Sequence, residues 1–394
     1  MNCKKRLSIL GTISRLSQHL VKELMEEERL RTLIQRAFSE ETQALSNEHK
    51  ILRYCEFELA RENFFNQTHV KARINEKDHS GAPDALDELI QQAEQARLSF
   101  KLQRNKVSVI TGVLKLLLLF IFIACFFPAL CLGAFLQLLN PLLLKLRVPN
   151  YYFPSDLIQT GFMQMVVIIA GVRIEVEGSE RVPVVVAGKP SSAIVLFSHA
   201  SNLDTFITAS CCPLSVKFIG KKSLFFIPLF GFLMYMYGNI PIDRSNLKKA
   251  IESLGKAAKK INSANATIGL SPEGTRSSSG LLQPFKKGPF HLAKETGLSM
   301  IPVTLIGAWD LWPPKQIFTS SGTVKVIFGS PVASSSDLQE MQYHVRVSML
   351  KEIKNHYENK KPGKHVECEV FYRFFMPLLT LLSVFILYIY FKVF

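Results

Sequence analysis

The chain has 394 residues, more than one ordinary domain requires, with 48% hydrophobic residues and a mean hydropathy of +0.16. Those values exclude a disordered or collagen-like chain and favour membrane association. The 47 Lys and Arg against 32 Asp and Glu leave +15, a charge suited to nucleic acid, an anionic membrane face or a phosphorylated substrate. The surplus is uneven: residues 1–106 carry 18 basic and 16 acidic side chains, and residues 107–394 carry 29 and 16. It therefore falls where the apolar runs lie, which suits a surface facing anionic lipid, where each nearby Lys or Arg contributes about 1 kcal/mol. The seven cysteines show no Cys-x-x-Cys and no pairing with histidines at metal spacing, so neither a disulfide framework nor a metal site is expected. The basic N-terminus lacks an uninterrupted apolar region, so a cleaved secretory signal is not expected either.

In chain order, residues 1–106 read as a helical, partly coiled-coil-like extension. Ile9, Ile13, Leu16, Leu20 and Leu24 recur at helical steps, further helical patterns lie near 48–64 and after Pro83-Asp84, and 66–82 is a polar linker. Such faces pack on each other or on a protein partner.

Composition changes at Val107. From there to Leu144 the only charged residue is Lys115, and 116–139 is an uncharged run of 24 residues. About 20 apolar residues suffice to cross a ~30 Å hydrocarbon core, so 107–150 is expected to embed in a membrane. Pro128 and the basic residues on both flanks leave a single helix and a re-entrant hairpin as alternatives. The run 374–391 is a second uncharged apolar stretch, a C-terminal transmembrane helix following a linker at 359–373. Its basic residues, Lys360, Lys361, Lys364 and Arg373, lie mostly ahead of it, which puts the preceding domain, 151–358, on the cytoplasmic side.

That domain alternates strand and helix patterns. Strands are expected at 172–177, 193–197, 216–219, 266–270, 301–306 and 323–328, with helices at 247–261 and 288–295. The pattern implies an α/β fold with a mostly parallel sheet and flanking helices, its chemistry collected at strand ends.

Dinucleotide, serine-hydrolase and phosphate-loop motifs are absent, as is the aromatic-interleaved basic stretch that binds single-stranded nucleic acid. What stands out is His199-Ala200-Ser201-Asn202-Leu203-Asp204, directly after the strand at 193–197. If the chain turns there from strand to helix, Asp204 can accept from one ring nitrogen of His199, leaving the other to take a proton from a hydroxyl. The same spacing at His79 and Asp84 lies in the polar linker, with no strand before it. Only the first pair has cations at neighbouring strand ends: Lys221, Arg244 after Pro241-Ile242-Asp243, and Arg276 within Pro272-Glu273-Gly274-Thr275-Arg276-Ser277. Arg forks suit two phosphate oxygens, Lys supplies a point charge, and a glycine admits close backbone approach.

Over about 165–332 these blocks resemble the glycerolipid acyltransferases typified by 1-acylglycerol-3-phosphate acyltransferase. His199, Ser201 and Asp204 match the family's Asn-His-x-Ser-x-x-Asp, with Ser198 in place of Asn. Lys221, Leu224, Pro228 and Gly231, running into Gly238, Ile240, Ile242, Asp243 and Arg244, resemble the second block. The third reads Phe-Pro-Glu-Gly-Thr-Arg-Ser with Ser271 for Phe, and the fourth is Lys286-Lys287-Gly288 leading to Ile301-Pro302-Val303. The resemblance implies transfer of a fatty acyl group from acyl-CoA or acyl-carrier protein to the hydroxyl of lysophosphatidate. Glycerol 3-phosphate, another lysophospholipid, or a non-catalytic lipid-binding scaffold are the alternatives. It further implies His199 as general base, Asp204 as its orienting partner, and Lys221, Arg244, Glu273, Gly274, Thr275 and Arg276 around the acceptor phosphate. No metal or cofactor is implied beyond the acyl thioester, and the membrane would be endoplasmic reticulum or bacterial inner membrane. The apolar segment, with Tyr151-Tyr152-Phe153, is expected to form part of the acyl-chain path, testable by bulky residues at Leu132, Gly133 or Ala134.

Overall fold

The computed structural model describes residues 25–39, 42, 44–66, 85–103, 108–146, 154–183, 185–186, 189–190, 192–228, 230–243, 267–359 and 364–365. The expectations for 9–24, 247–261, 374–391, the His79 and Asp84 pair, Tyr151-Tyr152-Phe153 and Arg244 lie outside those residues. The chain divides into two compact units, residues 1–103 with 353–360, and residues 104–352 with 361–394.

The first unit is helical: α1 (residues 25–38), α2 (Asn47–Phe65) and α3 (Ala85–Ser99). Leu30, Ile34 and Ala37, then Ile51, Tyr54 and Phe57, then Leu89, Ala93 and Ala96, recur at helical spacing and are all buried. Phe100 meets Tyr54 edge-on at 5.6 Å between centroids, and Asn47 both donates to and accepts from the backbone of Gln103. Aliphatic residues and this aromatic cluster together give the unit a buried core of its own.

The second unit opens with α4 (Val109–Leu136), continued by a 3-10 turn at Gln137–Leu139 and a helical stretch at Asn140–Lys145. Among the described residues, Val109–Leu143 is the one helical run long and apolar enough to cross a membrane. It is one continuous helical run, within which Pro128 removes one backbone hydrogen bond. The chain turns back only before α5 (Pro154–Ile169), which packs antiparallel along α4: Lys115 Nζ donates to Ala170 O at 2.7 Å, Phe122 stacks on Phe162 at 5.5 Å, and Gly133 lies against Ile158. Lys115 also donates to Ser321 Oγ at 2.7 Å, so the charge inside the apolar run is turned onto the protein.

Apart from a two-stranded pair, Val185–Val186 with Lys189–Pro190, the strands are β1 (Val172–Glu177), β2 (Ile194–Phe197), β3 (Val216–Lys221), β4 (Ile240–Ile242), β5 (Thr267–Leu270), β6 (Met300–Ile306), β7 (Gly322–Phe328) and β8 (Lys364–His365). These eight make up the main sheet, in the order β8-β1-β7-β6-β2-β5-β3-β4. The β6–β7 and β1–β8 pairs are antiparallel and the rest parallel, in agreement with the expected mostly parallel sheet. β1 alternates, with Val172, Ile174 and Val176 inward, whereas β2 and β5 are buried throughout, as apolar strands covered on both faces must be. Among the other helices are α6 (Asp204–Cys211), α7 (Phe230–Met236), α8 (Gly288–Thr296) and α9 (Leu338–Asn359). Because β2, β5, β3 and β4 run parallel as neighbours, the loops that follow them emerge along one edge of the sheet.

Candidate active site

At the end of β2 the chain crosses a tight turn into α6. Ser198, where the family pattern has Asn, donates its N–H to Val303 O at 3.0 Å, and its Oγ accepts from Leu305 N at 2.9 Å, tying the turn to β6. Asp204, the first residue of α6, is fully buried, and its Oδ2 accepts from the amides of Ala200 (2.8 Å) and Ser201 (2.7 Å) and from His199 Nδ1 (2.8 Å). One carboxylate oxygen thus closes the turn and orients the imidazole. With Nδ1 donating, the neutral ring keeps its lone pair on Nε2. Burial raises the Asp204 pKa, opposed by His199 and the two amides. Ser201 Oγ and Asn202 N donate to Trp312 O, both at 3.0 Å, anchoring the other side of the turn.

The loop after β5 lies beside it. Ser277 N donates to His199 O at 2.7 Å, and Glu273 Oε1 accepts from His199 N at 2.7 Å while Oε2 accepts from Gln283 N at 2.8 Å. Glu273 is buried, and its pKa is pushed up to about 8, by desolvation first, against the two backbone donors and Arg346. Its carboxylate faces inward and braces the backbone of the His199 turn. Gly274 follows it. Its φ of +73° and its N–H donated to Ser271 O at 3.2 Å fit a tight turn, and a Cβ would come within 3.0 Å of Lys286 Cδ. The glycine makes room for Lys286. Ser271, in place of Phe, accepts the Glu273 N–H on its Oγ at 3.2 Å.

The cations point outward. Arg276 is exposed and donates to Asn202 Oδ1, which sets its guanidinium beside the His199 turn, and Thr275 is exposed next to it. Lys221, at the end of β3, is exposed two strands from β2, about 10 Å at the usual strand spacing. Lys222 pairs with Asp243 at 3.9 Å. Beside the turn, α4, α5, α6 and α7 line a half-open cavity of about 430 Å³ with an almost wholly apolar lining, including Ile123, Leu130, Phe162, Phe206 and Leu233, with Asn202 and Trp312 from the His199 turn and its anchor. Leu132, Gly133 and Ala134 do not line it: Leu132 points away, 57% exposed, and Gly133 packs under Tyr237 Oη.

Sequence reasoning missed Gln283 and Arg346. Arg346, buried in α9 and stacked over Phe285 at 5.3 Å, donates to Gln283 O, so α9 supports Gln283, which supports Glu273 and through it His199. Neither residue stands in a motif that could have marked it. No competing thiolate nucleophile is indicated at Cys212, whose thiol burial pushes up to about 12.

The family model described as Acyltransferase matches residues 173–306, from β1 through β6. The chain is 34% identical over 187 residues to a 1-acyl-sn-glycerol-3-phosphate acyltransferase of Cocos nucifera, covering 48% of this chain and 58% of that protein. It is 31% identical over 186 residues to the protein of the same description from Borreliella burgdorferi, covering 47% and 71%. The chain spans about half the length of several curated relatives, including 50% of one from Limnanthes alba and 44% of one from Arabidopsis thaliana. Its structure matches the crystal structure of the 1-acyl-sn-glycerophosphate (LPA) acyltransferase PlsC from Thermotoga maritima with a TM-score of 0.50 and 25% identity, over 62% of this chain and 96% of that one. With the His199 and Asp204 turn set at the end of β2 inside the matched span, these likenesses carry one conclusion: the chain belongs to the acyltransferase family.

Proposed function

We propose that the second unit moves a fatty acyl group from acyl-CoA or acyl-carrier protein to the free hydroxyl of lysophosphatidate. The observation that carries this reading is the single buried oxygen of Asp204 that both closes the turn and holds His199 Nδ1. His199 Nε2 takes the proton of the acceptor hydroxyl, whose oxygen attacks the thioester carbonyl. The carbon–oxygen bond forms, the carbon–sulfur bond breaks, and the departing thiolate recovers the proton from the imidazolium. Arg276 and Lys221 hold the phosphate, with Arg244 as a further cation, and the acyl chain lies in the cavity between α4, α5 and α7.

The packing of α4 supports a one-sided membrane position. Gly112 lies against Phe318, Lys115 on Ala170 and Ser321, and Leu130 under Tyr237, so the same helix lies along the catalytic unit at points spread over most of its length. A helix so attached lies in one leaflet more readily than it crosses both, and holding the site at the cytoplasmic surface spares lifting acyl chains into water at about 0.8 kcal/mol per CH₂. The helical bundle of the first unit would serve a protein partner. Thiol release by purified protein given one acyl-CoA and a panel of lysophosphatidate, glycerol 3-phosphate and lysophosphatidylcholine tests the assignment. Turnover greatest with lysophosphatidate is expected, and none with any acceptor would overturn it.

A further inference from the structure

Between β3 and β4 the chain makes an excursion whose exposed side chains are apolar. It begins with a 3-10 turn at Lys222–Phe226 and continues into α7. One face of α7 is accounted for: Leu233 and Tyr237 are buried against Phe126, Leu130 and Ala134 of α4, and Tyr237 Oη donates to Leu130 O at 2.9 Å. The other face is open. Phe226 is 74% exposed, Phe232 and Tyr235 62% each, and Ile227 46%, a concentration of large apolar surface that a water-facing loop would not carry without a partner. Gly231 sets these residues together, since a Cβ there would fall 2.2 Å from Phe225 O. These four positions are among the unspecified ones of the second motif block, so the acyltransferase pattern does not account for their large apolar side chains.

Two observations identify what covers the face. It is continuous, through the α4–α7 packing, with the exposed apolar side of α4 and the 3-10 turn after it, where Phe120, Phe135 and Leu138 are likewise exposed. At its base are the exposed cations Lys221 and Lys222, the latter 3.9 Å from Asp243 at the end of β4, and the excursion between them, 223–242, contains no Asp or Glu. Apolar and aromatic tips above a basic collar are the chemistry of an interfacial element on an anionic leaflet. We propose that this excursion is a second membrane-insertion element: Phe226, Ile227, Phe232 and Tyr235 enter the leaflet on which α4 lies, with Lys221 and Lys222 at the headgroups. Insertion stands on exposure and charge alone. Its kinetic consequence rests on the acyl-transfer reading, because α7 walls the apolar cavity and Lys221 sits where the acceptor phosphate would bind.

The test uses the full chain in vesicles of phosphatidylcholine and phosphatidylglycerol, with Phe226→Trp and Phe232→Trp made separately. Insertion predicts that the added emission, over that of Trp309 and Trp312, is quenched by lipids brominated on their acyl chains and shielded from aqueous iodide. Emission quenched by iodide and not by bromolipid would overturn it. So would emission shielded from both quenchers together with concentration-dependent crosslinking, because a second copy would then cover the face. For the consequence, a Phe226→Ser and Phe232→Ser double variant is expected to lose about tenfold or more turnover on lysophosphatidate embedded in vesicles. With a water-soluble short-chain acceptor it should stay within about twofold of wild type. Equal losses on both acceptors would refute the consequence. A wild type inactive on every acceptor would refute the acyl-transfer reading and leave the quenching result to decide insertion.

Discussion

Asp204→Asn keeps the shape of the His199 turn and removes its charge. In the native turn one oxygen accepts three hydrogen bonds of 2.7–2.8 Å, from two amides and His199 Nδ1. Bonds to a charged acceptor contribute about 1.5–3 kcal/mol and neutral ones about 0.5–1.5, so each weakens by about 1 kcal/mol. The two amide bonds are the same before and during reaction, and their loss appears as about 2 kcal/mol of stability, or about 4–8 °C in Tm for a domain of this size. The bond to His199 is different, because it strengthens as the ring takes the acceptor's proton. At 2.8 Å and an effective dielectric of about 20 the gross attraction is roughly 6 kcal/mol, and desolvation of so deeply buried a carboxylate offsets about half. The remaining ~3 kcal/mol corresponds to a rate loss of about 10²-fold or somewhat more. Thiol release at saturating acyl-CoA, with melting followed in parallel, measures both effects. A folded Asp204→Asn variant within about threefold of wild-type turnover would refute the electrostatic role assigned to the carboxylate.

Two further outcomes follow from neighbouring residues. Folding raises the Glu273 pKa from 4.5 to about 8, so the folded state binds that proton more tightly, and stability is expected to fall as pH rises through that window. Asp204, also raised, acts in the same direction. Glu273→Gln removes its own contribution, so the change in Tm between about pH 5 and about pH 8 should become shallower, and an unchanged slope would exclude Glu273 as a source. Leu130→Trp, which intrudes on the apolar cavity, should lower kcat/KM for long acyl chains about tenfold or more while sparing short ones, and an unaltered chain-length preference would remove the cavity from the acyl path.

Much of the fold was legible because it is written in local pattern. The alternation of 172–177 and the unbroken apolar runs near 193–197 and 301–306 announce strands, and β1, β2 and β6 form there. The His199 and Asp204 pair was legible for the same reason: five residues crossing from strand to helix bring the two side chains together without distant help. What was not legible depends on contacts far apart in sequence. Nothing local says that Glu273 turns inward, since its partners are the amides of His199 and Gln283, and Gln283 is held in turn by Arg346 on α9. Lys115 reads as a lone charge in an apolar run until Ala170 and Ser321 are seen to receive it. Nor does the sequence separate the exposed Lys221, Thr275 and Arg276 from the buried Glu273, because burial depends on how the loop after β5 folds against the His199 turn.

In the proposed reaction His199, held by Asp204, removes the proton of an acceptor hydroxyl. The most direct measurement is thiol release from acyl-CoA with lysophosphatidate by wild type and His199→Ala, reconstituted side by side in vesicles and matched for Tm. The account predicts a loss of about 10²- to 10⁴-fold, the usual contribution of a general base. Equal turnover by the two proteins would contradict it.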